Sequence, residues 1–172
     1  MQSLIPSPEI RAMCAEDKCH NYGRSWSCPP SPACGDITLV QEKIRRFDCG
    51  ILIQTTGAMS DPYDMEAIRR TEDRQKQKFD TLVRQVRMIL RREGRGQGCM
   101  PMSSGGCRRC FQCTYPDKPC RHPDLLYPSM EAYGLWVSRV CEASGVCYNY
   151  GENTITFTGC LLLGEDNSPA YA

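Results

Sequence analysis

The chain has 172 residues, of which 41% are hydrophobic and 13 are cysteines, and its formal net charge is +1. This length suits one domain over residues 1–172, and the balanced charge excludes a broad basic field for binding nucleic acid or an anionic membrane. Because neither an apolar run of about 18 residues nor a secretory signal pattern occurs, we expect a cytoplasmic protein without a membrane span.

The first predicted elements follow a cysteine-rich loop. Several prolines and glycines over residues 1–35 predict irregular backbone. Helical spacing of apolar residues predicts a helix over 37–47, capped by Asp36. The short apolar run 51–56 predicts a buried strand. A long helix is then predicted from Asp61-Pro62 to Arg92.

The second half of the long helix is amphipathic, whereas its polar run 69–78 predicts a solvated face. The predicted inward stripe consists of Phe79, Leu82, Val83, Val86, Ile89 and Leu90. A second loop is expected over 94–128, a helix capped by Ser129 over 129–144, and a strand over 154–163. This order predicts an α/β fold with a small mixed sheet covered by helices, and with two Cys-rich metal-binding loops (14–34 and 99–123) gathered at one end.

The cysteine content predicts metal ligation. In a reducing cytosol disulfides do not persist, and an odd number of cysteines leaves one thiol over in any full pairing. Two groups of four carry the predicted ligands. They are Cys14, Cys19, Cys28 and Cys34 in the N-terminal loop, and Cys107, Cys110, Cys113 and Cys120 in the central loop.

The central group favours a [4Fe-4S] cluster. Cys107, Cys110 and Cys113 are each separated by two residues, so three thiolates can meet three irons of one cubane, whereas zinc sites usually use two separated pairs. Two arrangements stay open for the fourth ligand. Either Cys120 completes its own triple, or a remote thiol does so while Cys120 crosses to the N-terminal group.

The spacing of the N-terminal group is less specific, and the evidence that this group binds metal comes from the segment 22–30. Glycine, aromatic residues and paired prolines in this segment fix a backbone without the regular hydrogen bonds of a helix or sheet. Such a segment needs a bound group to order it. Cys34 is the weakest of the four assigned ligands. If one iron lacks a protein thiolate, that iron is therefore expected at the position of Cys34.

Three segments resemble a known family. Residues 19–30 (CHNYGRSWSCPP), 107–123 (CRRCFQCTYPDKPCRHP) and 128–134 (PSMEAYG) look like DUF2284, a family of cysteine-rich predicted metal-binding proteins found mainly in anaerobic bacteria and archaea. The resemblance implies iron–sulfur or other metal binding in the cytoplasm of an anaerobe. It implies no particular reaction.

Other residues in the loops are given supporting roles. His20 and His122 are expected to hydrogen-bond cluster sulfurs. Arginines are expected to offset cluster charge or, alternatively, to bind an anionic substrate or an acidic partner; they are Arg24, Arg108, Arg109 and Arg121. Aromatic residues are expected to shield the clusters from water; they are Tyr22, Trp26, Phe111, Tyr115 and Tyr127. The remaining cysteines are interpreted as small buried hydrophobes, with Cys147 the main candidate exception; they are Cys49, Cys99, Cys141, Cys147 and Cys160.

These observations lead to three functional hypotheses. The first is a protein with two [4Fe-4S] clusters that exchanges single electrons with a redox partner protein. The second is an enzyme in which a three-thiolate cluster binds a small substrate at its open iron. The third is a zinc-stapled interaction module. No catalytic residue is assigned.

Overall fold

The computed structural model describes residues 4–95 and 98–164. Within them the helices and strands are, in chain order, α1 (Pro8–Ala15), α2 (Ile37–Ile44), β1 (Cys49–Ala58), α3 (Met65–Arg92), β2 (Cys99–Met102), α4 (Val137–Ala143) and β3 (Thr154–Leu163). Single turns of 3-10 helix lie at Pro32–Cys34 and Pro123–Leu125. The expected α/β class, with a small sheet and covering helices, is confirmed.

The sheet has the strand order β1-β3-β2. β3 pairs antiparallel with β1 from Cys49 opposite Leu163 to Ala58 opposite Thr154, and antiparallel with β2 on its other side. A mixed sheet was expected, but β3 runs opposite to both of its neighbours, so every pairing is antiparallel. The predicted strand 154–163 is confirmed, whereas β2 was missed inside a segment that its glycines and cysteines marked as loop.

β1 is longer than predicted and lies at an edge of the sheet. Its expected burial is wrong, because an edge strand has a neighbour on one side only and Ile51 remains 40% exposed. The central strand β3 is the buried one. Leu161 and Leu162 are both fully buried, and they pack into two different apolar clusters because successive side chains point to opposite faces.

α3 lies against the sheet through polar residues as well as apolar ones. A Cβ added to Gly57 would lie 2.0 Å from Oγ1 of Thr71, so the glycine permits close approach of strand and helix. Gln75 Oε1 accepts a hydrogen bond from Thr55 Oγ1, and Gln75 Nε2 donates one to the carbonyl of Ile53, both at 2.7 Å. The expectation that the run 69–78 is solvated is therefore wrong for Thr71 and Gln75.

Two helix starts differ from the sequence prediction. α3 is capped by Asp64, whose Oδ1 accepts from the Ala67 N–H at 2.9 Å, whereas the predicted cap Asp61 lies in the preceding turn. Residues 130–134 form turns rather than the first part of a helix, and Ser129 forms an isolated parallel bridge with Ser103. Gly134 has a φ of +84°, which ends the helical path, and α4 begins only at Val137.

The N-terminal loop contains a short helix that the prolines concealed. Ser7 caps α1 by accepting from the Glu9 N–H at 3.2 Å, and the Ser7 N–H donates to the carbonyl of Gly134 at 2.7 Å. This contact ties the start of the described chain to the turn 130–134.

Of the predicted inward stripe on α3, Phe79, Val83 and Leu90 are buried, while Ile89 is exposed.

No helix in the described part of the chain is both long enough and apolar enough to cross a membrane.

Candidate metal centre

The four central cysteines line one cavity of about 170 Å³. Cys120 lies with Cys107, Cys110 and Cys113, as in the arrangement that keeps the group together. None of the N-terminal thiols is among the described residues that line this cavity. The side chains around the sulfurs include Trp26, whose ring packs edge-on against that of Tyr115 with centroids 5.0 Å apart.

Backbone N–H groups point at three of these sulfurs. In each case the donor is the residue two positions later: Arg109 for Cys107, Tyr115 for Cys113 and His122 for Cys120, the last at 3.4 Å. N–H donors at this position stabilise the thiolate, which is the form that binds metal. The contact of His122 with the Cys120 sulfur is made by its backbone N–H.

Cys113 is the thiol best prepared to ionise. Burial raises the pKa of Cys113, but hydrogen bonds from the backbone of Tyr115 and Trp26 and from the hydroxyl of Ser25 outweigh burial and leave the pKa below its ordinary value. Burial raises the pKa of Cys107, and there the hydrogen bond from Arg109 compensates only in part. Cys113 therefore ionises more readily than an ordinary cysteine.

The N-terminal thiols surround a second cavity of about 270 Å³ with a nearly apolar wall. Cys14, Cys19 and Cys28 line it together with Glu131. The backbone of Gly105-Gly106, directly before the central group, forms part of the same wall. Three of the four predicted N-terminal ligands are therefore brought together.

Cys34, the fourth predicted N-terminal ligand, is not among the described residues that line this cavity. Its side chain is fully buried, and it borders a separate groove with Val40 and Tyr133. It still lies close enough to Cys14 and Cys28 for their negative charges to affect its pKa.

Ionisation is unfavourable around the N-terminal cavity. Burial raises the pKa of Cys14, and it raises that of Cys28 to about 11 and that of Cys34 to about 12. Burial also raises the pKa of Glu131, whose Oε2 is enclosed and has no hydrogen-bond partner among the described residues. Thiols and a carboxyl group become stable as anions when a cation shares the cavity, so the donor set of Cys14, Cys19, Cys28 and Glu131 fits a metal group.

Buried serines join the two cavities. Ser27 Oγ accepts a hydrogen bond from the Cys107 N–H at 3.0 Å and lies 3.7 Å from the Cys28 sulfur. Ser25 Oγ lies 3.0 Å from Ser27 Oγ and bonds the Cys113 sulfur. The two cysteine groups are thus in contact through a continuous chain of hydrogen bonds.

Charged side chains around the loops form ion pairs. Arg24 pairs with Asp17 at 3.4 Å, Arg109 pairs with Asp80 at 2.5 Å, and Arg108 pairs with Glu72. Arg121 donates to the carbonyl of Gln112 at 2.9 Å.

Lys76 of α3 binds the backbone of residues 104–106, the strip between the cavities. Its Nζ donates to the carbonyls of Ser104 and Gly106 at 2.8 and 2.7 Å and pairs with Glu72 at 3.3 Å. The sequence analysis missed this residue because it lies in a run of charged residues that resembles an exposed helix face. Ser27 and Glu131 were missed as well, since neither has a motif of its own.

Several supporting roles are corrected. Cys141 and Cys160 are buried as expected and Cys99 is half-buried, but Cys49 is exposed because it begins an edge strand. Cys147, the candidate exception, is exposed in a loop. Phe111 does not shield a cluster, since its side chain is fully exposed at the cavity rim. Tyr127 packs on Phe79 of α3 instead.

The chemistry of the donors is that of a soft metal site. All 13 cysteines lie in the described part of the chain as free thiols. No three His, Cys, Asp or Glu side chains in residues 4–95 and 98–164 converge closely enough to hold a single metal ion. Instead, the central cavity is lined by Cys107, Cys110, Cys113 and Cys120, and the N-terminal cavity by Cys14, Cys19 and Cys28.

Comparison with known proteins gives one result. No curated protein and no solved structure matches the chain significantly. The family model described as "Predicted metal-binding protein (DUF2284)" matches residues 1–163, which includes both cavities. The chain therefore belongs to the DUF2284 family of predicted metal-binding proteins.

Proposed function

We propose that the protein is an iron–sulfur electron carrier with two adjacent [4Fe-4S] clusters. Cys107, Cys110, Cys113 and Cys120 would hold the central cluster. Cys14, Cys19 and Cys28 would hold the N-terminal cluster, for which Cys34 is the fourth ligand predicted from the sequence. When bound, the clusters supply one-electron redox chemistry, and the protein supplies the thiolates and the hydrogen bonds that set the potential.

The arrangement of the thiols supports clusters over single ions. A tetrahedral zinc site needs four donors about 2.3 Å from one point, whereas the thiols described above surround cavities. Cubanes fill such a space, because each thiolate meets a different iron. The N–H groups directed at the central sulfurs also match the way in which proteins tune cluster potentials.

The observation that carries the proposal is the contact between the two groups. Cys28 of one group and Cys107 of the other are close enough for their charges to interact, and Ser27 bonds or touches both. Electron tunnelling falls steeply with distance, so two clusters in this contact would exchange electrons rapidly. An isolated structural metal needs no such neighbour.

The surface supports exchange with a redox partner. Phe111 lies in the central loop beside Cys110 and is fully exposed, so it offers an apolar contact at the rim of the cavity that would hold the central cluster. Two [4Fe-4S] clusters with four thiolates each would change the formal charge from +1 to about −3. We place this exchange in the cytoplasm of an anaerobic cell, where free thiols and reduced clusters persist.

Anaerobic purification tests the proposal. Iron, acid-labile sulfide and zinc are measured per chain, and an EPR spectrum is recorded after dithionite reduction. We expect about eight irons and about eight sulfides with two interacting cubane signals. Zinc without iron or sulfide would reject the electron carrier and leave the zinc-stapled module.

An iron–sulfur enzyme is the second candidate. It is favoured by the position of Cys34 outside the N-terminal cavity, which leaves three thiolates around that space. An iron without a protein thiolate binds a small substrate as a Lewis acid. Cys34→Ser tests this candidate, because an open-iron enzyme should keep both clusters, whereas loss of the N-terminal cluster would show that Cys34 completes it and would reject the open iron.

A further inference from the structure

Glu131 is the one acidic residue among the described residues that line the N-terminal cavity with Cys14, Cys19 and Cys28. Its Oε2 is buried without a hydrogen-bond partner among the described residues, while the hydroxyl of Ser129 bonds the same carboxyl group. An unpaired carboxylate oxygen in an apolar enclosure is costly, so such a group is usually kept for a ligand or a metal.

The backbone at Glu131 is fixed from several sides. The Met130 N–H donates to the carbonyl of Ser103 at 3.2 Å, and the Ala132 N–H donates to Ser129 Oγ at 3.1 Å. The Cys14 thiol lies 3.9 Å from the carbonyl oxygen of Glu131. The backbone of Glu131 is therefore held beside Cys14 by a rigid turn, and the Glu131 charge is close enough to raise the pKa of Cys14.

Cys34 is held in place outside the cavity. It ends the 3-10 turn Pro32–Cys34, and its carbonyl accepts from Arg11 Nη2 at 2.7 Å. The same nitrogen binds the carbonyl of Gly35 at 2.8 Å. Arg11 thus fixes the backbone at Cys34, and the fully buried side chain borders the groove with Val40 and Tyr133 instead of the N-terminal cavity.

We infer that Glu131, and not Cys34, is the fourth protein ligand of the N-terminal centre. The inference rests on the proposed function for the identity of the metal group but not for the identity of the ligand. Binding would form one bond between a carboxylate oxygen and the metal, and any proton on the carboxyl group would be released to solvent. Because a carboxylate binds a soft metal more weakly than a thiolate does, this corner is expected to be the exchangeable one.

Four variants test the ligand assignment. Glu131→Gln removes the anionic oxygen at constant shape, Glu131→Cys replaces it by a thiol, Cys34→Ser tests the competing ligand, and Cys160→Ser is the control for a buried thiol outside both cavities. Each protein is reconstituted anaerobically with iron and sulfide. Iron content and the EPR signal of three-iron clusters are then followed during mild oxidation, beside the far-UV circular dichroism.

We expect Glu131→Gln to lose the exchangeable iron at least about tenfold faster than wild type, with a larger three-iron signal. Glu131→Cys should suppress that signal, while Cys34→Ser and Cys160→Ser should behave as wild type. If Cys34→Ser loses the N-terminal iron while Glu131→Gln retains it, the inference is overturned. If Glu131→Gln fails to fold, Glu131→Cys decides the question: slower loss of iron than in wild type supports the inference, and equal or faster loss overturns it.

A zinc protein would reject the proposed function without deciding the ligand. The same variants are therefore titrated with zinc alone. Weaker binding in Glu131→Gln, by about tenfold or more, together with wild-type binding in Cys34→Ser, supports Glu131 as the ligand. Equal zinc affinity in wild type and Glu131→Gln, or no metal bound at all, overturns it.

Discussion

The backbone N–H of Cys107 donates a hydrogen bond to Oγ of Ser27 at 3.0 Å, across 80 residues of chain. Because Ser27 also lies 3.7 Å from the Cys28 sulfur, one buried hydroxyl couples the two cysteine groups. A substitution in either cysteine group is therefore expected to affect the other group.

Replacing Ser27 by Ala should destabilise the protein. The Cys107 N–H loses its acceptor in a part-buried position, which costs about 1–3 kcal/mol of unfolding free energy. Urea unfolding measures this loss. The exposed Ser144, changed to Ala, is the control and should stay within about 0.5 kcal/mol of wild type. Equal effects of the two changes would contradict the coupling role of Ser27.

Lys76→Met should also destabilise the chain, because two carbonyls of the strip 104–106 lose a charged donor. Hydrogen bonds to charged groups contribute about 1.5–3 kcal/mol each, so a loss of roughly 2–4 kcal/mol is expected once partial compensation by water is included. Thermal unfolding and metal content per chain provide the measurement. Lys78→Met, on the exposed side of the same helix, should change neither quantity.

Lowering the pH should release metal from the N-terminal centre before the central one. Protons compete with metal for thiolates, and burial raises the pKa of Cys14 and that of Cys28 to about 11, whereas hydrogen bonds lower the pKa of Cys113. Metal content after dialysis at decreasing pH should thus fall in two steps. Cys28→Ser should abolish the step at higher pH, and loss of the other step instead would refute this order.

Cys160 should make the fold sensitive to alkaline pH. Burial raises its pKa from 9.0 to about 12, so the folded state favours the neutral thiol. The associated stability is fully present below pH 9.0 and is lost as the pH rises toward about 12, at about 1.4 kcal/mol per pH unit. Urea unfolding at about pH 8 and about pH 10 measures the slope. In Cys160→Ala this contribution should disappear; an unchanged slope would assign the sensitivity to other groups.

Sequence patterns predicted the parts of the structure that depend on neighbouring residues. The alternation of Thr154 to Phe157 indicated β3, and the short spacing of Cys107, Cys110 and Cys113 indicated one site. Glu131 was beyond such reasoning, because its position beside Cys14 depends on contacts between segments more than 100 residues apart. The buried face of α3 was concealed for a related reason: Gln75 is buried by bonding to strand backbone, which no hydropathy pattern records.

The position of β3 between β1 and β2 sets an order of assembly. In the described chain β1 and β2 pair with β3 and not with each other, and β3 follows all the proposed ligands in sequence. During synthesis both cysteine loops therefore leave the ribosome before the sheet can close. For that interval the thiols are exposed without their scaffold, so a cell that makes this protein must keep them reduced, or deliver metal late, until the last strand is in place.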